Sequence, residues 1–157
     1  MVRKACVLGL GLAFASAGSA LADGIITFEG TLNSSCALSV STAGTLALSA
    51  DGTILGSEQT GGTSAVLTIV AVGSNQITVG TPTLTDSPAG YTSSGQRIEY
   101  SYAGLNGLSG VTSGGFTSTS KQFNATILST LKVDNHIVNT TGFATGHYAT
   151  TTVVTCG

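Results

Sequence analysis

Acyl or phosphoryl chemistry on side chains needs a nucleophile, a base and an orienting group within mutual reach. The only histidines of this 157-residue chain are His136 and His147, each in a polar stretch without a recognisable motif. Serines are plentiful, but none occupies a Gly-x-Ser-x-Gly elbow. There is no paired-carboxylate signature, no glycine-rich phosphate loop before a helix and no zinc-ligand spacing. Asp51-Gly52 starts like a calcium loop, but the further acidic ligands are missing, so the pair reads as a turn. Both histidines read as ordinary surface or loop residues. The expectation is a protein that is not an enzyme and has no cofactor or metal.

Sulfur is the remaining candidate chemistry, in Cys6, Cys36 and Cys156. Cys6 falls in an N-terminal segment with the order of a secretory signal. Arg3 and Lys4 come first, an apolar stretch follows from Ala5 to Ala15, and small residues lead to Ala20-Leu21-Ala22 before Asp23. The apolar core is too short to span a membrane, and no later stretch reaches ~18 continuous apolar residues. Cleavage after Ala22 leaves one domain, 23–157, with Cys36 and Cys156. In an oxidising exported compartment an even pair implies a disulfide. Chain-entropy arguments assign such a long loop about 4–5 kcal/mol.

Removing residues 1–22 leaves Arg97, Lys121 and Lys132 against seven acids, a formal charge of 3 − 7 = −4. So few cations cannot neutralise a run of phosphates, which argues against a nucleic-acid partner. A basic membrane-binding face is missing too. With ten charged residues left, surface polarity must come from Ser, Thr, Asn and Gln, and all 25 threonines lie after the signal. Threonine suits a pleated, half-buried surface.

The elements implied are strands. Ile26, Phe28, Gly30 and Leu32 share one parity, and Cys36, Leu38 and Val40 continue the alternation. Asp51-Gly52 marks a hairpin turn. Ser64–Val72 is the most apolar run and reads as a central or core strand. Pro82 and Pro88 demote their segment to edge strand or loop. Ile98, Tyr100 and Tyr102 share a face. Residues 103–119 read as a glycine-rich loop. Phe123, Ala125, Ile127, Leu131 and Val133 share a parity over one long strand, with a turn near Asp134-Asn135. The last strand is Tyr148–Cys156. Seven or more short strands with turns every 8 to 12 residues imply a β-sandwich, with a Greek-key barrel as the alternative. Asn33, Asn124 and Asn139 match the Asn-x-Ser/Thr pattern, which arises by chance in so Ser/Thr-rich a chain.

Two segments resemble known exported subunits. The stretch from Gly24 through Phe28-Glu29-Gly30-Thr31-Leu32 to Cys36 is similar to the start of mature chaperone–usher pilins. Gly146-His147-Tyr148 and the Thr/Val strand to Cys156 resemble the closing strand of pilins and of spore coat protein U-type domains. The resemblance covers about 15 residues at one end and 12 at the other. It departs from the pilin pattern in two places. The partner of the first cysteine is at the C-terminus, and the penultimate position, often aromatic in pilins, is Cys156.

What the resemblance implies is an immunoglobulin-like Greek-key β-sandwich that is incomplete. Its groove would be filled by a strand from a periplasmic chaperone and then from the next subunit. Here the strand-exchange arm would be 23–32, with Ile26, Phe28 and Leu32 as anchors around Gly30. The expected role is a structural surface subunit of fimbrial or coat type that self-assembles or joins related subunits, in the periplasm or on the cell surface. The alternatives are that 23–32 is the first strand of its own sheet, or that the chain is a self-contained adhesion module. Such a module would bind carbohydrate or a protein through 103–119 and Tyr91, Tyr100 and Tyr102.

Overall fold

The computed structural model describes residues 27, 29–31, 34–125 and 127–157. Residues Thr31–Gly157 form one compact unit. Of the candidate arm, Ile26, Phe28 and Leu32 lie outside the described residues, as does the signal segment; Gly30 is exposed. The described residues contain eleven strands, all pairs antiparallel, and no helix. The fold is the all-β antiparallel sandwich that the alternating pattern predicts.

The larger sheet holds β1 (Ser35–Thr42), β2 (Ala47–Leu48), β3 (Ile54–Gly56), β4 (Ala65–Val72), β7 (Arg97–Gly104) and β9 (Ser129–Val138). Its centre is β9. One edge of β9 pairs with β7 from Leu131 to Val138. The other edge is shared, with β4 on Ser129–Val133 and β3 on His136–Val138. β1 lies on the far side of β4. The opposing strands are β5 (Asn75–Val79), β8 (Lys121–Ala125) and β11 (Val154–Cys156) in the order β11-β5-β8, and β6 (Thr83–Asp86) with β10 (Ala149–Thr151).

The core follows from the period-2 rule, by which alternate side chains reach one face. β4 supplies Leu67, Ile69 and Ala71, β7 supplies Tyr100 and Tyr102, and β9 supplies Leu131 and Val133. Ile77, Val79 and Ala125 face them from β5 and β8. Each Leu, Ile or Val among them contributes about 1.5–3 kcal/mol when fully buried. The Tyr100 hydroxyl ties the layers together by donating toward the carbonyls of Val79 at 3.2 Å and Thr119 at 3.0 Å.

The Asp51-Gly52 turn closes the β2–β3 hairpin as the sequence implies, with Gly52 at φ 72° and Asp51 accepting from Ser49 and Thr53. β6 is an edge strand, as Pro82 and Pro88 imply. The expectation of one long strand through Phe123–Val133 is corrected. The chain leaves β8 after Ala125, exposes Ile127 and Leu128, and restarts as β9 in the other sheet. Parity survives the break, which is why the pattern hid it. The expected turn at Asp134-Asn135 is also corrected, because both residues lie inside β9. The final strand is two pieces, β10 on β6 and β11 on β5.

Candidate functional site

Cys36 and Cys156 form the disulfide that the cysteine count implies, with Cα atoms 6.0 Å apart across a sequence separation of 120. The bond joins β1 of the larger sheet to β11 of the opposing one. Among the described residues β1 pairs only with β4, and β11 only with β5. Among these residues each therefore has one backbone edge without a strand partner.

Between those edges opens a groove of about 790 Å³. β1 supplies Leu38 and Val40, the opposite wall is Tyr148–Thr152 and Val154, and β4 and β9 contribute Ala65, Leu67 and Val133. Gly44, Thr45 and Leu46 line it beyond the end of β1. Val40 is 66% exposed, high for an aliphatic residue on a strand. The lining joins these aliphatic side chains to a threonine margin and to Ser39, Ser57, Asn135, His147 and Tyr148. It suits an extended backbone with alternating apolar side chains better than a reactive substrate.

Asn135 holds the far wall. Its Oδ1 accepts from the Thr152 hydroxyl at 2.8 Å, and its Nδ2 donates to the Thr150 hydroxyl at 3.1 Å. Sequence reading missed this residue by placing it in a turn. The signal was present, because Leu131, Val133, Asn135 and Ile137 keep one parity and imply a continuous strand.

The other parity of β9 carries Lys132, Asp134 and His136. Asp134 and His136 are buried, because residues 57–64 and Phe116 cover them. Asp134 accepts from Ser57 at 2.9 Å, from Ser64, and from Lys132 at 3.1 Å. Burial pushes the Asp134 carboxyl up, but the bonds from Ser64, Lys132 and Ser57 outweigh it and leave it below the ordinary range.

His136 is not the surface or loop residue that its polar neighbourhood implies. Its Nδ1 lies 3.1 Å from Glu58 Oε1 and its Nε2 lies 3.1 Å from Glu99 Oε2. Phe116 stacks on the ring with centroids 3.7 Å apart. Glu99 also pairs with Arg97 at 2.9 Å. Burial raises Glu99, while Arg97 and His136 outweigh it and hold its carboxyl below the usual range. His136 thus links β9 to Glu99 of β7 and to Glu58, just beyond β3. Among the described residues no three His, Cys, Asp or Glu side chains are placed to hold a metal ion. His147 pairs with Asp86 at 2.8 Å on the exposed surface.

The tyrosines considered for sugar stacking are dispersed. Tyr100 and Tyr102 are core residues, 0% and 8% exposed. Tyr91 packs with Phe143 and Tyr148 in a separate cluster beside a hollow of about 340 Å³. Residues 103–119 fold back on β7 through bridges at Thr112 and Thr117. Asn139 is fully buried, its amide donating to the Thr92 carbonyl and its Oδ1 accepting from Thr141. The site is thus a groove between two strand edges that no other described strand covers, tied at one end by a disulfide. No family model, curated protein or solved structure matches the chain.

Proposed function

We propose that this protein is a structural subunit of an exported assembly, joined to its neighbours by exchange of a β-strand. The observation that carries this reading is the 790 Å³ groove between the unpartnered edges of β1 and β10–β11. Open edges beside apolar surface are a standing aggregation hazard, and proteins cover them. An added strand would satisfy the free backbone groups by main-chain pairing while alternate side chains fill the apolar lining. The segment 23–32 has the matching pattern, with Ile26, Phe28 and Leu32 on one parity and the small Gly30 between them. The low charge of the mature chain and the secretory pattern of its first 22 residues agree with a surface role.

The test uses purified mature protein with and without residues 23–32. Wild type should form concentration-dependent polymers that resist dilution, while the deletion stays monomeric with unchanged β-sheet circular dichroism. Equal monomers from both, equally folded, would sink the reading.

A further inference from the structure

The disulfide does more than join two ends of the chain; it closes one end of the groove. Neighbouring strands in a sheet lie ~4.8 Å apart, so a strand seated between two others needs flanks ~9.6 Å apart. At Cys36–Cys156 the Cα atoms are only 6.0 Å apart. No backbone can lie between β1 and β11 at that level. The nearest lining residues along each strand are Leu38 and Val154, two positions beyond the cysteines. β1 runs away from the bond, and β10–β11 runs toward it. The far end of the groove is marked by Leu46 and by His147 and Tyr148.

We infer that the Cys36–Cys156 bond is a stop that sets the polarity of the inserted strand and selects the arm of a second copy over the chain's own arm. This rests on the strand-exchange reading. In a second copy, 23–32 leads directly into that copy's β1 at Ser35. A folded domain therefore hangs on the Leu32 side of the arm and cannot pass the bridged end. Leu32 stays at the open end near Leu46 and Tyr148, and Ile26 lies toward Leu38 and Val154. The inserted strand runs parallel to β1 and antiparallel to β10–β11.

The chain's own arm is tethered the other way round. Only Asn33 and Ser34 separate Leu32 from β1, so a two-residue fold-back hairpin would pair Leu32 with Ser35 and Thr31 with Cys36, at the level where the bond leaves no room. Two-residue hairpins use type I′ turns, with positive φ at both central residues, or type II′ turns, with glycine at the first. Ser34 has no positive φ, and Asn33 stands where type II′ prefers glycine. The local chemistry thus disfavours self-capping, and the bridge enforces the opposite polarity for a neighbour.

The test places a benzoylphenylalanine photo-crosslinker at Ile26 or Leu32 of the mature protein. Copies with and without the probe carry different nitrogen isotopes, so mass spectrometry separates crosslinks between chains from those within one. The Leu32 probe should react near Leu46 and Tyr148 of another copy, and the Ile26 probe near Leu38 and Val154 of another copy. The reversed map, or crosslinks confined to one chain, overturns the inference while leaving strand exchange intact. Loss of all groove crosslinks from both probes overturns it through failure of the strand-exchange reading. In a Cys36→Ser/Cys156→Ser variant that still folds, both polarities should appear. A single polarity there would show that the bond is not the stop. If the variant does not fold, the wild-type map alone decides.

Discussion

Thr152 donates its hydroxyl hydrogen to Asn135 Oδ1 at 2.8 Å, tying the link between β10 and β11 to the central strand of the larger sheet. The same amide reaches Thr150, so one side chain fixes the far wall of the groove at two points. Replacing Asn135 by Ala leaves both threonine hydroxyls without this partner. Losing hydrogen bonds in a half-buried site costs about 1–3 kcal/mol. Asn135→Ala should therefore lower the urea midpoint with an unchanged slope. An unchanged midpoint would mean that water replaces the amide at no cost.

Reduction of Cys36–Cys156 should destabilise the fold without altering its strand pairing. The 120-residue separation makes the loop long. Bonds of this kind contribute about 2–5 kcal/mol, against total stabilities of about 5–15 kcal/mol. Urea unfolding with and without a dithiol reductant measures the difference. A difference near zero would indicate that the unfolded chain is already held compact.

Asp134 and Glu99 make the protein acid-sensitive. Both carboxyls are held below their ordinary values in the folded state, Asp134 by Ser64, Lys132 and Ser57 and Glu99 by Arg97 and His136, in each case against the upward push of burial. A depressed folded pKa means that the unfolded chain binds the proton more tightly. The stabilisation is complete above the ordinary carboxylate range, ~3.9–4.3, and is lost as pH falls through the lower folded values. Urea midpoints at pH 7, 5 and 3 should stay level and then drop. Asp134→Asn should lower the midpoint at pH 7 and flatten the drop. An equally steep drop in that variant would place the acid sensitivity elsewhere.

His136→Leu should be more damaging than its polar sequence context suggests. It leaves Glu58 and Glu99 facing an apolar side chain beneath Phe116, and removing one partner of a buried polar pair costs about 1–3 kcal/mol. His136→Gln keeps a donor and should recover part of the loss. Thermal unfolding of the two variants gives the comparison. Equal melting points for wild type and His136→Leu would show that the two carboxylates find water.

Much of the fold was legible because the relevant physics is local. The apolar run of β4, the period-2 alternation in β7, the prolines around β6 and the Asp51-Gly52 turn all act over a few residues. The cysteine pair was legible by count, since two cysteines in an oxidised domain have one pairing. The division between β8 and β9 was not. Residues 126–128 preserve parity, so only the identity of the pairing partners, β5 for one strand and β4 and β7 for the other, distinguishes one long strand from two. Asp134, Asn135 and His136 were misread for a related reason. Polar residues usually mark turns and surfaces, and their burial here depends on Ser57, Glu58, Ser64, Glu99 and Phe116, from distant parts of the chain.

The sequence by itself determined an all-β chain, its alternating faces and one disulfide. The order in which the chain pairs its strands decided everything about the site. A strand edge is free or used according to hydrogen bonds made by residues far away in sequence. Only the tertiary structure therefore left β1 and β11 each with one edge that no other described strand covers, joined them through Cys36 and Cys156, and opened a groove beyond that bond.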